Sequence, residues 1–122
     1  MTAPIEVHNN NNVNFEGVTV EVSDNITENL EYIVKVYSAY HFTANLCTFY
    51  GKNKATKGIY SYGDTYSYYH YINTCRFVSI TNAIVLSYNS NASTINNNEF
   101  YQCDNCIVID SCNGVRVENN TF

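Results

Sequence analysis

The carboxylates that could act as acid and base in this chain are Asp64, Glu99, Asp104, Asp110 and Glu118. Hydrolysis of a glycoside needs two carboxyl groups about 5–9.5 Å apart, one on each side of the scissile bond. The spacing here does not announce such a pair. Glu99 stands one residue before Phe100, Glu118 four before Phe122, and Asp104 and Asp110 flank a single apolar run. Solvated surface acids are the plainer account. The histidines, His8, His41 and His70, lie in no recognisable nucleophile context and are expected at the surface or in turns. Cys103-x-x-Cys106 with Cys112 puts three thiols within ten residues. A structural zinc site takes four ligands, and no nearby histidine completes this one. Small buried or turn-filling thiols, a disulfide and a metal site remain the three readings of the cluster. The segment Gly51-Lys-Asn-Lys-Ala-Thr-Lys-Gly58 lacks the Gly-Lys-Ser/Thr ending of a phosphate loop and reads as a solvated loop. No catalytic residue, cofactor or metal is assigned to any of these groups.

The strongest functional hint is aromatic. Tyr60-x-Tyr62 and Tyr66-x-Tyr68-Tyr69-x-Tyr71 alternate, and alternate residues of a strand share a face. Tyr60, Tyr62, Tyr66 and Tyr68 are therefore candidate contacts for a glycan or a protein, since a tyrosine offers rigid contact area with a polar tip. The alternative is that they cover the flank of the fold. Asn25-Ile-Thr27, Asn91-Ala-Ser93 and Asn119-Asn-Thr121 match the glycosylation acceptor, a pattern that an asparagine-rich chain also produces by chance.

The elements that must position these groups are strands. The 122 residues suffice for one domain, 45% of them apolar. Val, Ile, Tyr, Phe and Thr dominate, no helical apolar stripe exceeds two turns, and Asn, Ser and Gly cluster between the apolar runs. Only 14% of residues are charged, and the net charge is −5. Six scattered Lys and Arg form no basic stripe, which excludes nucleic acid and anionic membrane as expected partners. No apolar run is long enough to span a bilayer. Residues 1–12 are polar and carry no secretory signal. That leaves a mature fragment, a cytoplasmic product or a virion component, with an extracellular, cell-surface or virion setting as the expectation.

The strands repeat. Ile95-Asn-Asn-Asn-Glu-Phe100 and Val117-Glu-Asn-Asn-Thr-Phe122 share a frame with Ile72-Asn-Thr-Cys-Arg-Phe77, so Phe77, Phe100 and Phe122 recur at 23 and 22 residues. Ile84-Val85-Leu86 and Ile107-Val108-Ile109 recur at 23. A period of about 20–25 residues with short strands marks a solenoid. Each recurring position should form an inward column, with Asn98 and Asn120 stacked two places before their phenylalanines. Cys75 and Cys47 hold the same place in earlier coils. Adjacent coils lie about 4.8 Å apart, inside disulfide range, so Cys47 and Cys75 are expected neighbours and a potential disulfide. The first half repeats less cleanly: the interval from Phe49 to Phe77 is 28, with the extra length assigned to loops at 51–58 and 63–69. Ile5 to Phe15 loosely echoes Val115 to Phe122.

This unit, with its turn asparagines, Cys103, Ile107-Val108-Ile109, Cys112 and Val115-Arg116-Val117, resembles the right-handed parallel β-helix repeat of the pectate-lyase-like superfamily, strongly over residues 70–122 and loosely over 1–69. The resemblance implies a single all-β, right-handed parallel β-helix of four to five coils spanning 1–122. Enzymes of that superfamily often cleave polysaccharides, but their paired-aspartate and His-Gly motifs are missing from this sequence. The leading expectation is a structural module that stacks with itself or within a fibre, surface or virion assembly, with glycan contact through the tyrosines. A fragment of a polysaccharide lyase or glycoside hydrolase, or a non-catalytic glycan-binding module, is the alternative. Open strand edges invite pairing. Head-to-tail stacking should bring Val115, Val117 and Phe122 of one subunit onto Ile5, Val7 and Phe15 of the next.

Overall fold

A computed structural model describes every residue except Asn10 and Thr65, and the described residues form fourteen strands and no helix. The first coil holds β1 (Ile5–His8), β2 (Asn14–Glu16) and β3 (Thr19–Glu21), and the second holds β4 (Leu30–Tyr37), β5 (Thr43–Asn45) and β6 (Thr48–Tyr50). The third holds β7 (Ala55–Tyr62), β8 (Tyr71–Asn73) and β9 (Arg76–Val78). The fourth holds β10 (Asn82–Ser87), β11 (Thr94–Asn96) and β12 (Glu99–Tyr101). A fifth coil begins with β13 (Asn105–Asp110), β14 (Arg116–Glu118) and a bridge from Thr121 to Glu99. Each coil gives one strand to each of three sheets, ordered β1-β4-β7-β10-β13, β2-β5-β8-β11-β14 and β3-β6-β9-β12. Every strand pairing is parallel, so the molecule is a β-solenoid of about four turns.

Alternation explains which side chains enter. In the first sheet the inward column is Ile5, Val34, Ile59, Ile84 and Ile107. In the second it is Phe15, Ala44, Ile72, Ile95 and Val117. In the third, Val20, Phe49, Phe77 and Phe100 pair in register, and the Phe122 ring continues the stack. Ring centroids there lie 5.1, 5.3 and 5.4 Å apart from Phe49 to Phe122, with planes within 17° of parallel. The aromatic column and the Ile84–Ile107 and Leu86–Ile109 pairings stand as the repeat spacing predicts.

Corners are made by residues in the left-handed region. Between the second and third sheets Gly17, Leu46, Thr74, Asn97 and Asn119 all have φ between 52° and 63°. One such residue turns the chain, and the next points inward. Those inward residues form a ladder. The side chains of Cys47, Cys75, Asn98 and Asn120 donate to the carbonyls of Phe15, Ala44, Ile72 and Ile95, each one coil back. An amide also accepts, so Asn98 Oδ1 takes the Cys75 N–H at 2.8 Å and Asn120 Oδ1 the Asn98 N–H at 2.9 Å.

The structure corrects three expectations. The segment 51–58 is a turn only as far as Lys54, and Ala55 onward belongs to β7. Gly58 is required there because a Cβ would sit 2.2 Å from the Ala83 carbonyl oxygen. Phe15 does not share the column of Phe122: it heads the Ile95–Val117 column, and Val20 occupies the aromatic one. The echo misaligns them because it is anchored on the phenylalanine, whereas this coil carries valine there. The 23-residue repeat places Cys112 opposite Asn89, and the structure does not. The offset falls from 23 in the first sheet to 22 in the second as Ser111 faces the Tyr88-Asn89 turn, and the thiol lies against Ser90.

Candidate functional site

The four candidate tyrosines fall into two groups. Tyr60 and Tyr62 lie on the outer face of the first sheet, their centroids 4.8 Å apart, with Lys57 Nζ 4.8 Å over Tyr60 and Tyr37 4.9 Å from Tyr62. Tyr66 and Tyr68 lie in the turn after β7, where Tyr66 stacks on Tyr40 at 4.5 Å and Tyr68 meets Tyr40 edge-on at 5.6 Å. All four are half-buried. Their ring faces are largely engaged by one another and by lysine, so they build the flank of the solenoid. Beside them Tyr32 bonds to Glu6 and Tyr37 to Asp64, and these carboxylate partners raise both phenol pKa values.

The five carboxylates are dispersed. Glu99 on the third sheet pairs with Arg76 at 3.1 Å, and Glu118 on the second pairs with Arg116 at 3.4 Å. Asp64 is in the turn after β7, Asp104 immediately precedes β13, and Asp110 is the last residue of that strand. Among the described residues no group of three or more His, Cys, Asp or Glu side chains could hold a metal ion. A groove of about 250 Å³ runs beside the corner at Leu46, Thr74 and Asn97, with the Arg76–Glu99 pair in its wall. It is smaller than the roughly 300–1,000 Å³ of ordinary ligand pockets.

Cys47 and Cys75 are buried free thiols in neighbouring coils, each held by main-chain carbonyls at 3.2–3.4 Å. Burial pushes the Cys75 thiol up to about 12, so it serves as a hydrogen-bond donor and not as a thiolate. Cys103, Cys106 and Cys112 are partly buried and also raised by burial. Of the acceptor asparagines, Asn25 is exposed in the loop 23–29. Asn91 is half-buried and accepts the Asn113 N–H at 2.7 Å, and Asn119 is exposed with its amide 3.4 Å from Asn96 Oδ1.

One constellation was missed by sequence reasoning. His70, expected at the surface or in a turn, is 2% exposed and faces the core. Its column reads Val13, Phe42, His70, Ser93, Val115, one place before the second-sheet strands. The Phe42 N–H donates to Nδ1 at 3.3 Å, which leaves the proton on Nε2 to donate to Ser67 Oγ at 2.7 Å. Ser67 then bonds Ser61 at 3.1 Å, Ser61 bonds Ser90 at 2.8 Å, and Ser90 donates to the Ser87 carbonyl at 2.9 Å. With the direction fixed at both ends, each hydroxyl donates to the next. His70 therefore gives a proton bond to Ser67 and cannot act as its base. Burial, with a smaller push from His41, lowers the imidazole to about 4 and keeps it neutral. The network is a core polar stack, and every buried side-chain nitrogen and oxygen among the described residues has a partner.

The two ends of the solenoid differ. In the last coil Ile109 is 41% exposed, Val117 42% and Phe122 73%, whereas their column neighbours Leu86, Ile95 and Phe100 are 0–5% exposed. At the other end Val7 and Val20 are 5% and 7% exposed, with Ile5, Val13 and Phe15 half-buried. Met1 bonds the Glu21 carbonyl at 2.6 Å and accepts the Ser23 N–H at 2.7 Å, covering the edge of β3 just beyond Val20. The core columns are thus open to solvent at the last coil.

Comparison with known proteins adds no relative: no family model, no curated protein and no solved structure matches this chain.

Proposed function

We propose that the protein is a structural β-solenoid module that extends by stacking, the last coil of one copy continuing into the first coil of the next. The observation that carries this reading is the spacing of the two end coils. Ten residues separate Ile107 from Val117 and Ile5 from Phe15, and five separate Val117 from Phe122 and Phe15 from Val20. The three inward columns can therefore run on across the junction together, Ile107 onto Ile5, Val117 onto Phe15 and Phe122 onto Val20. Val115 then meets Val13, and Ile109 meets Val7. Exposed parallel edges recruit strands, and a head-to-tail contact that does not close on itself gives a filament. A fibre, surface or virion assembly is the setting that suits such a rod. The likeness to the pectate-lyase-like superfamily supports this reading as architecture alone.

Sedimentation velocity and negative-stain microscopy over a concentration series test it. Concentration-dependent rods are expected, and Val117→Lys should abolish them while leaving the β-sheet circular dichroism intact. A wild-type protein that stays monomeric in every buffer condition overturns the proposal.

A further inference from the structure

Resting on that stacking reading, we propose that the junction is gated by a carboxylate pair, Glu118 of one copy against Glu16 of the next, so that neutral pH holds the rods short and acid lengthens them. The outward column on the second sheet reads Glu16, Asn45, Asn73, Asn96, Glu118. Amides fill its interior and carboxylates stand at both ends. Asn73 Nδ2 donates to Asn45 Oδ1 at 2.9 Å, and Asn45 Nδ2 donates to Glu16 Oε1 at 2.9 Å. An amide donates and accepts, so such a column can propagate; a carboxylate only accepts. When the columns continue across the junction, Glu118 lies directly beside Glu16 with no donor between them. Like charges directly opposite in a sheet are destabilising.

The surrounding groups do not cancel this. Arg116 Nε is 3.4 Å from Glu118 Oε1, and in the stacked register Arg116 faces Asn14, so two carboxylates share one guanidinium. On the first sheet Val108 meets Glu6, which Tyr32 and Lys35 already hold, and Asp110 meets His8. On the third sheet Thr121 meets Thr19 and Phe122 meets Val20, uncharged side-chain pairings, with the Met1 ammonium bonded to the Glu21 carbonyl just beyond them. The carboxylates repel while both are ionised. In acid, one proton shared by the pair removes the repulsion and supplies the missing donor.

The test compares wild type, Glu118→Asn and Glu31→Gln by sedimentation velocity at pH 7 and pH 4.5. Glu118→Asn carries the amide column to the end coil, and Glu31→Gln makes the same change in net charge away from the column. Glu118→Asn should lower the concentration for half-assembly at pH 7 by up to about fivefold. It should also respond less to acid than wild type, and Glu31→Gln should leave assembly at pH 7 unchanged. If rods form but Glu118→Asn matches wild type, or Glu31→Gln matches Glu118→Asn, the gate is overturned and stacking stands. If no variant assembles at either pH while all remain folded, stacking falls and the gate with it.

Discussion

Two inward stacks run through the same middle coils and are built on opposite chemistry. The third sheet carries Phe49, Phe77 and Phe100, rings in parallel contact and 0–5% exposed. Across the core, His70, Ser67, Ser61 and Ser90 form a chain of hydrogen bonds, 0–2% exposed apart from water in the same way. The aromatic stack is indifferent to direction: each ring needs only a flat neighbour above and below. The polar stack is not. Its donors and acceptors must be ordered from Nε2 of His70 to the Ser87 carbonyl, so each member depends on the one before it. Loss from the first stack should leave a cavity, and loss from the second an unsatisfied group.

The largest difference should come from Phe77→Ala. It removes a ring packed on both faces, and the expected loss of stability is about 3–5 kcal/mol, read by urea denaturation. A loss below about 1 kcal/mol would mean that the stack collapses around the gap and is not close-packed.

Next comes the acid response of the polar stack. The folded imidazole titrates near 4 against 6.5 for the free group, so between those values the unfolded chain binds a proton that the folded one refuses. The stabilisation from neutral His70 is therefore complete above pH 6.5 and is lost as the pH falls towards 4, by up to about 3 kcal/mol. His70→Phe removes this titration and also leaves the Phe42 N–H without its acceptor. The variant should be less stable than wild type at pH 7, and that deficit should shrink as the pH falls to 4. A deficit constant with pH would show that His70 is protonated within the fold.

Ser61→Ala should cost less, about 1–3 kcal/mol, because it strands the Ser67 hydroxyl. Adding Ser67→Ala should cost less than its separate effect, since the stranded donor is then gone. Fully additive losses in this cycle would break the idea of a directed chain.

How much of each stack could be read beforehand follows from the same contrast. Phe77, Phe100 and Phe122 share one residue type at 22–23 residues, and so do Ile84 and Ile107. Like packs on like, and the repeat is visible in the letters. The His70 column runs Phe42, His70, Ser93, Val115, with no shared type to betray it. Only the strand register, set by Tyr71 opposite Thr43 and Thr94, assigns His70 to the core. Val20 was hidden for a similar reason. It stands where later coils use phenylalanine, and the loop 23–29 stretches the first interval to 29. The corner ladder was legible at Asn98 and Asn120 and extended correctly to Cys75 and Cys47, because the two-residue distance to phenylalanine survives the change of side chain.

The smallest effect belongs to the open end of the aromatic stack, and it ties stability to assembly. Phe122 stacks on Phe100 at 5.4 Å but is 73% exposed, so one ring face has a partner and the other meets solvent. Phe122→Ala in the dispersed protein should therefore cost about 1 kcal/mol or less, the worth of a single aromatic contact. The same substitution should behave differently in a rod. There the second face would lie on Val20 of the next copy, and the cost per junction should rise towards that of a buried aromatic, about 3–5 kcal/mol. Urea denaturation of dilute protein measures the first quantity, and the concentration for half-assembly measures the second. An effect on assembly no larger than the effect on the monomer would place Phe122 outside the junction and break the continuity of the aromatic column from one copy to the next.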